Sequence, residues 1–226
     1  MSVIAMIPAR LGSQRLKQKN LRQIDGVPII GWAIRKCRAA GCFDEIWVNS
    51  EAEVFEEIAE REGARFHRRP AELANNQATS EQFVHEFLTK HACDYLVQVH
   101  SIAPLLMAAQ VAEFVEGFTG SDFDVMLSCT LEQIECAMDG RPVNFTFAEK
   151  TNSQELTPIQ RVTWSITGWR RATYMEAFEA GRTATYAGRV GFWPLDRLSG
   201  HIIKTEEDLQ LAAALWQWRN EKFAAD

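Results

Sequence analysis

Val3-Ile4-Ala5-Met6-Ile7 runs directly into Pro8-Ala9-Arg10-Leu11-Gly12-Ser13-Gln14-Arg15-Leu16-Lys17-Gln18-Lys19-Asn20-Leu21. A short, continuous apolar run stopped by a proline reads as a strand buried on both faces of a parallel sheet. The loop after it carries Arg10, Arg15, Lys17 and Lys19, then Arg22, before the first acid, Asp25. The chain as a whole has a formal net charge of -6, so this loop is a local reversal of sign. A positive loop at the carboxyl end of the first strand of an α/β sheet is where such folds bind ligands. Backbone N–H groups around Gly12-Ser13 are expected to form an anion-binding concavity, with Arg and Lys neutralising phosphate oxygens. The loop is neither a Walker P-loop nor a dinucleotide fingerprint, because Gly12 is its only glycine. Charge alone would equally describe a solvated basic loop, but a solvated loop has no reason to follow the first buried strand.

Outward from this stretch the pattern alternates. Gly26-Val27-Pro28 is a turn, and Ile29, Ile30, Ala33, Ile34 and Cys37 then recur at helical spacing up to Gly41. Glu45 to Ser50 reads as a second strand. Val54 to Gly63 reads as a second helix, and Ala64 to His67 as a third strand. Strand, helix, strand, helix, strand is the mark of βαβ units and a parallel sheet. Further on, Ser80-Glu81 starts a helix, Tyr95 to Val99 is the central strand, Ala108 to Phe118 is helical and Asp124 to Cys129 is another strand. Residues 132–158 are polar and irregular. Pro158 to Trp169 is richer in aromatics than a linker, and either lines a pocket or is buried at a subunit interface. Gly188 to Pro194 returns as a strand. Thr205 and Asp208 form a capping box that opens the last helix.

At 226 residues and 46% apolar the chain is long enough for one full core, and we expect a single domain over 1–226. No run of about eighteen apolar residues is present, so no membrane span is expected. The first residues lack the charged, apolar and small-residue pattern of a signal peptide, and a cytoplasmic protein is expected. Five cysteines, Cys37, Cys42, Cys93, Cys129 and Cys136, lack metal-like spacing and are expected to be reduced thiols. The acidic balance argues against a nucleic-acid partner.

Three segments carry a family resemblance. Ile7-Pro8-Ala9-Arg10-Leu11-Gly12-Ser13, with Arg15-Leu16 and Lys19-Asn20-Leu21, resembles the N-terminal signature of the sugar-acid cytidylyltransferases, the CMP-sugar synthetases for acylneuraminate, nonulosonate and 3-deoxy-manno-octulosonate. Arg69-Pro70-Ala71-Glu72-Leu73-Ala74 resembles a second family segment. His201 to Leu209 resembles the family's tail, where two acids and an Asp-Leu open the last helix. The resemblance implies a Rossmann-like, mostly parallel sheet flanked by helices, of the nucleotide-diphospho-sugar transferase type. It also implies a small excursion at 132–165 for dimer contacts and the sugar pocket, and a homodimer.

The implied activity is transfer of CMP from CTP to the anomeric hydroxyl of a 3-deoxy-2-ulosonic acid, with release of pyrophosphate into polysaccharide biosynthesis. Arg10 and Lys19 would be the catalytic cations. Ser13, Asn20, Arg69 and Gln98 would hold the nucleotide, and Arg161 the sugar carboxylate. For Gln98 a structural hydrogen bond is an equal reading. His100 either contacts ligand or packs, and Arg69 is alternatively a surface ion pair.

The resemblance also implies Mg²⁺, yet the positions expected to carry its carboxylates hold Ile102 and, in the tail, Ile202 and Lys204; Gln14 stands where a lysine is expected. Either the metal is held by triphosphate and water, or the Lys204 ammonium replaces part of its charge, or the chain is a catalytically silent nucleotide- or sugar-binding homologue. A nucleotidyltransferase using another nucleotide or a plain sugar phosphate is a further reading.

Overall fold

The structure is a computed structural model that describes residues 1–223. Its centre is a seven-stranded sheet. In chain order the strands are β1 (Val3–Pro8), β2 (Gln23–Ile24), β3 (Val27–Pro28), β4 (Glu45–Ser50), β5 (Arg65–Arg68) and β6 (Tyr95–Val99). After them come β7 (Val125–Glu132), β8 (Ala137–Met138), β9 (Arg141–Pro142), β10 (Ile159–Arg170) and β11 (Val190–Pro194). The large sheet has the order β11-β7-β10-β6-β1-β4-β5, while β2-β3 and β8-β9 are separate small hairpins. All neighbours in the large sheet are parallel except at β10, which is antiparallel to β6 and to β7.

Six helices flank it: α1 (Ile29–Ala40), α2 (Val54–Glu62), α3 (Ser80–Lys90), α4 (Ala108–Thr119), α5 (Arg171–Glu179) and α6 (Glu206–Phe223). The period of two along β1 shows why the strand is apolar throughout. Val3, Ala5 and Ile7 join the core under α1, α2 and α4, while Ile4 and Met6 join the core with residues of α3 and α5. Local chemistry ends the helices where expected. Gly41 and Gly63 close α1 and α2 with φ of 65° and 78°, a left-handed cap that costs other residues strain. Thr79 and Gln82 cap α3 reciprocally.

The chain runs from β1 to β4 and β5 on one side, then crosses back to β6 on the other. β1 and β6 are therefore neighbours at the point where strand order reverses, which opens a crevice at their carboxyl ends.

The excursion expected over 132–165 is shorter in the structure. Its irregular part, after β7, holds the β8-β9 hairpin and a 3-10 turn at Ser153–Glu155. From Ile159 onward the chain is β10, entering the middle of the sheet. Gly168 of β10 has no side chain because a Cβ there would lie 2.5 Å from the Phe118 ring of α4. A break in register between Val162 and Thr167 turns the first half of β10 away from β6, so residues 159–162 pair with β7 alone.

Candidate active site

Asn20 holds the cationic loop in place. The loop leaves β1 with the Ala9 N–H bonded to the Asn49 carbonyl at 3.0 Å and the Leu11 N–H bonded to Glu51 Oε1 at 2.8 Å. Asn20 then folds it back. Its Nδ2 donates to the Arg10 carbonyl at 3.2 Å, and its Oδ1 accepts from Ser101 Oγ at 2.7 Å. One buried amide thus joins the loop to the end of β6. The Ser13 N–H donates to the Leu11 carbonyl at 3.0 Å, so one of the amides expected to face an anion is used within the loop.

A cavity of about 320 Å³ lies over the ends of β1 and β6. Arg10, Ser13, Lys19, Asn20 and Arg69 all line it, together with Gln14, Arg15, His100 and Ile102. Five expected residues from two separate segments therefore meet in one place. Arg69 is 4% exposed, and its position is built by partners that sequence reading missed. Its Nε and Nη2 donate to Asn49 Oδ1 at 2.6 Å and to the Asn49 carbonyl at 2.7 Å, and its guanidinium lies 4.2 Å from the Phe83 ring centroid. Burial pulls its pKa down to about 10, leaving it charged at neutral pH. Arg10 reaches across to Asn76 Oδ1 at 3.0 Å and to the Asn75 carbonyl. Lys19 Nζ donates to the Ile203 carbonyl at 3.2 Å. Burial, then the charges of Arg15 and Arg10, hold the Lys19 pKa below its ordinary value.

Among the described residues, none of the four cations Arg10, Arg15, Lys19 and Arg69 forms an ion pair. Elsewhere Arg22, Arg35, Arg65, Arg68 and Arg161 all do. Glu51 and Asp208 act on Arg69 and Lys19 only from beyond ion-pair distance, so the gathered like charges still cost the fold energy, and a polyanion would offset that cost.

Two further cavities adjoin. One of about 520 Å³ shares His100 and Ile102 with the first and contains Arg161, Arg197, His201, Lys204 and Asp208. The other, about 180 Å³, shares His100 and contains Gln98, Ser80, Trp164 and Tyr174. Gln98 does not line the cation cavity. It lies on the same side of β6 as Leu96, facing α3 and α5, and its Nε2 is buried without a hydrogen-bond partner. His100, one residue past the strand, is the side chain common to all three cavities. Burial, then the Lys19 charge, drops its pKa to about 4, so its ring is neutral at pH 7. Arg161 is in the second cavity, with Nε 3.0 Å from Glu132 Oε1, and is not fully available to a ligand. Trp164 lies in the β10 irregularity with φ of 59°, a strained value for a bulky residue, and lines the two adjoining cavities.

These residues do not fit a protein-held Mg²⁺. Ile102 lines the first two cavities and offers no ligand atom, and Lys204 is a cation. Among the described residues Asp208 is the one carboxylate lining either, and its Oδ2 already accepts from the N–H groups of Lys204 and Thr205, at 2.8 Å each, and from Thr205 Oγ1 at 3.0 Å. No cluster of three or more His, Cys, Asp or Glu suited to a metal occurs among the described residues.

The chain is 31% identical over 127 residues to N-acylneuraminate cytidylyltransferase A of Danio rerio, an overlap of 56% of this chain and 30% of that protein. It is 26% identical over 198 residues to the 3-deoxy-manno-octulosonate cytidylyltransferase of Acidobacterium capsulatum, covering 83% of this chain and 76% of that one. The acylneuraminate relatives are longer, and the chain spans between about 30% and half of their length. Among solved structures, a CMP:2-keto-3-deoxy-manno-octonic acid synthetase complexed with CTP superposes with a TM-score of 0.72 at 17% identity, covering 97% of this chain and 100% of that one. A 4-diphosphocytidyl-2C-methyl-D-erythritol synthase of Anaerococcus prevotii superposes with a TM-score of 0.69 at 12% identity, covering 96% and 98%, so the fold is shared across this group. The family model described as cytidylyltransferase matches residues 4–165, well over half of the chain, and the protein belongs to that family.

Proposed function

We propose that this chain transfers CMP from CTP to the anomeric hydroxyl of a 3-deoxy-2-ulosonic acid and releases pyrophosphate. The observation that carries the reading is the cavity at the β1/β6 crevice, lined by four unpaired cations and sharing a wall with a second cationic cavity. The triphosphate occupies the first cavity, and Arg10, Arg15, Lys19 and Arg69 neutralise it. The sugar acid occupies the second, where Arg197 attracts the carboxylate and Arg161 is partly engaged by Glu132. The two substrates then meet at His100 and Ile102.

The anomeric oxygen bonds to the α-phosphorus while the bond from that phosphorus to the pyrophosphate oxygen breaks, and the hydroxyl proton leaves to solvent. Such transfer depends on alignment and on stabilising charge that builds on the equatorial and leaving oxygens. Arg10 and Lys19, held by Asn76 and the Ile203 carbonyl, are preorganised for that task. The neutral His100 offers a hydrogen bond at the wall the cavities share, while Gln98 lines the third cavity with its Nε2 unpartnered. The names of the relatives support a sugar acid as acceptor and differ in which one. Exposed Ile134, Met138, Val143 and Phe147 on the excursion support a homodimer through that region. A cytoplasmic site of action is part of the same reading; no helix among the described residues is long and apolar enough to cross a membrane.

The test is pyrophosphate release from CTP with a panel of 3-deoxy-2-ulosonic acids. Release that requires both CTP and one acid supports the reading and names the acceptor. Ile102 and Lys204, at positions where the family resemblance implies carboxylates, favour a second reading, a silent nucleotide- or sugar-binding homologue. CTP binding without release by any acid would select it.

A further inference from the structure

The charge pattern at the crevice goes beyond a missing pair of carboxylates. The tail segment before α6 is tied over the cation cavity, with the Ile203 N–H bonded to the Ile102 carbonyl at 2.9 Å and the Ile203 carbonyl bonded to Lys19 Nζ at 3.2 Å. Lys204 is the next residue. Its backbone is fixed by the Asp208 carboxylate at 2.8 Å, so the root of the side chain is held at the rim. The side chain itself is exposed, forms no ion pair among the described residues and lines the second cavity. Its charge reaches Lys19: with burial, Arg15 and Arg10, it helps to hold the Lys19 pKa down. Lys204 therefore extends the unpaired cation cluster across the shared wall of the two cavities. A divalent cation placed there would meet this cluster as a like charge and would find one carboxylate already engaged by three donors.

We propose that Lys204, with Arg15 and Lys19, supplies at this crevice the positive charge that a carboxylate-held Mg²⁺ would supply, so that the chain binds the CTP triphosphate without a protein-bound divalent cation. The inference rests on the proposed use of CTP and adds to it a role for Lys204 as a positioning residue for the β- and γ-phosphates. CMP lacks those phosphates, so Lys204 contributes to CTP affinity and not to CMP affinity.

Calorimetric titration of the full chain with CTP and with CMP, in EDTA and in Mg²⁺, tests this. The wild type is expected to bind CTP in EDTA within about threefold of its affinity in Mg²⁺. Lys204→Ala should weaken CTP binding in EDTA by about tenfold or more, the effect of one lost charge-assisted hydrogen bond, and leave CMP binding unchanged. Lys204→Asp should abolish CTP binding in EDTA and recover it on addition of Mg²⁺. The exposed, uncontacted side chain makes all three proteins comparable in thermal stability. Wild-type CTP binding that appears only with Mg²⁺, or a Lys204→Ala protein that binds CTP in EDTA as the wild type does, overturns the inference and leaves the proposed function standing. No CTP binding in either buffer overturns both.

Discussion

Replacing Arg69 by methionine separates what this residue does for binding from what it does for folding. The side chain is 4% exposed and lacks an ion-pair partner among the described residues. Burial, chiefly, pulls its pKa from the ordinary guanidinium range down to about 10. That drop corresponds to roughly 3 kcal/mol against the charged form in the fold, at about 1.4 kcal/mol for each pKa unit. In its favour are the two charge-assisted hydrogen bonds to Asn49 and the contact with the Phe83 ring. Arg69→Met relieves the desolvation. It also leaves Asn49 Oδ1 unpaired inside a fully buried residue, at a cost of about 1–3 kcal/mol, and forfeits a cation–π contact of about 0.5–2 kcal/mol. The terms nearly cancel, so the melting temperature of the unliganded protein should move by only a few degrees, about 2–4 °C per kcal/mol for a chain of this size. CTP binding has no such compensation. Losing one charge-assisted contact to phosphate should cost about 1.5–3 kcal/mol, or roughly 10- to 150-fold in Kd. Thermal unfolding with and without CTP, alongside calorimetry, measures both quantities. A Kd within threefold of wild type in a folded variant would refute the role in binding. A fall in melting temperature beyond about 10 °C would show that Arg69 is there for the fold.

Three other perturbations follow from the geometry. Asn20→Ala removes the amide joining the Arg10 carbonyl to Ser101 Oγ; because Asn20 and Ser101 are buried, unfolding stability should fall by about 2–3 kcal/mol, and CTP affinity should fall with it, in chemical denaturation and calorimetry. His100 has a folded pKa of about 4 against 6.5 when unfolded, so the unfolded chain takes up the proton first; stability from this group is complete above about pH 7, and about 2 kcal/mol of it is lost by pH 5. Denaturation midpoints at the two pH values should differ less in His100→Gln than in wild type, and an equal difference would remove His100 as the cause. Gly200→Ala would set a Cβ 2.3 Å from the buried Thr130 methyl at the wall of the second cavity, so a loss of about 1–3 kcal/mol in thermal unfolding is expected, and an unchanged melting temperature would show that the wall yields.

Much of the candidate site was legible because it lies close to one strand. Arg10, Ser13, Lys19 and Asn20 follow β1 within a dozen residues, and a loop at the carboxyl end of a buried parallel strand has one place to go. Arg69 follows β5 by one residue but was singled out only by the resemblance of the Arg69–Ala74 segment, not by its place after a strand. Gln98 shows the limit. The resemblance implied a nucleotide contact for it, with a structural hydrogen bond as an equal reading; alternation along β6 turns it onto the sheet face with Leu96, and His100, past the last strand residue, lines the wall the cavities share. Asn49 and Phe83, which fix Arg69, carry no signal of their own, since an asparagine in a strand and a phenylalanine in a helix are ordinary core residues.

The sequence by itself determined the class of fold, the elements β1, α1, β4, α2 and β5, and the sign of the crevice; the β2-β3 hairpin, read as a turn, was not among them. Each depends on interactions within a short span: period two or 3.6, a glycine cap, or a run of cations without acids. The insertion of β10 between β6 and β7 was decided only by tertiary structure, because an antiparallel strand in a parallel sheet is specified by contacts far apart in the chain, among them the close approach of Gly168 to Phe118. The approach of the tail to Lys19, whose Nζ bonds the Ile203 carbonyl 184 positions away, belongs to the same class, since no local pattern brings those two segments together. Local chemistry chose the charges, and long-range packing chose which of them face one another.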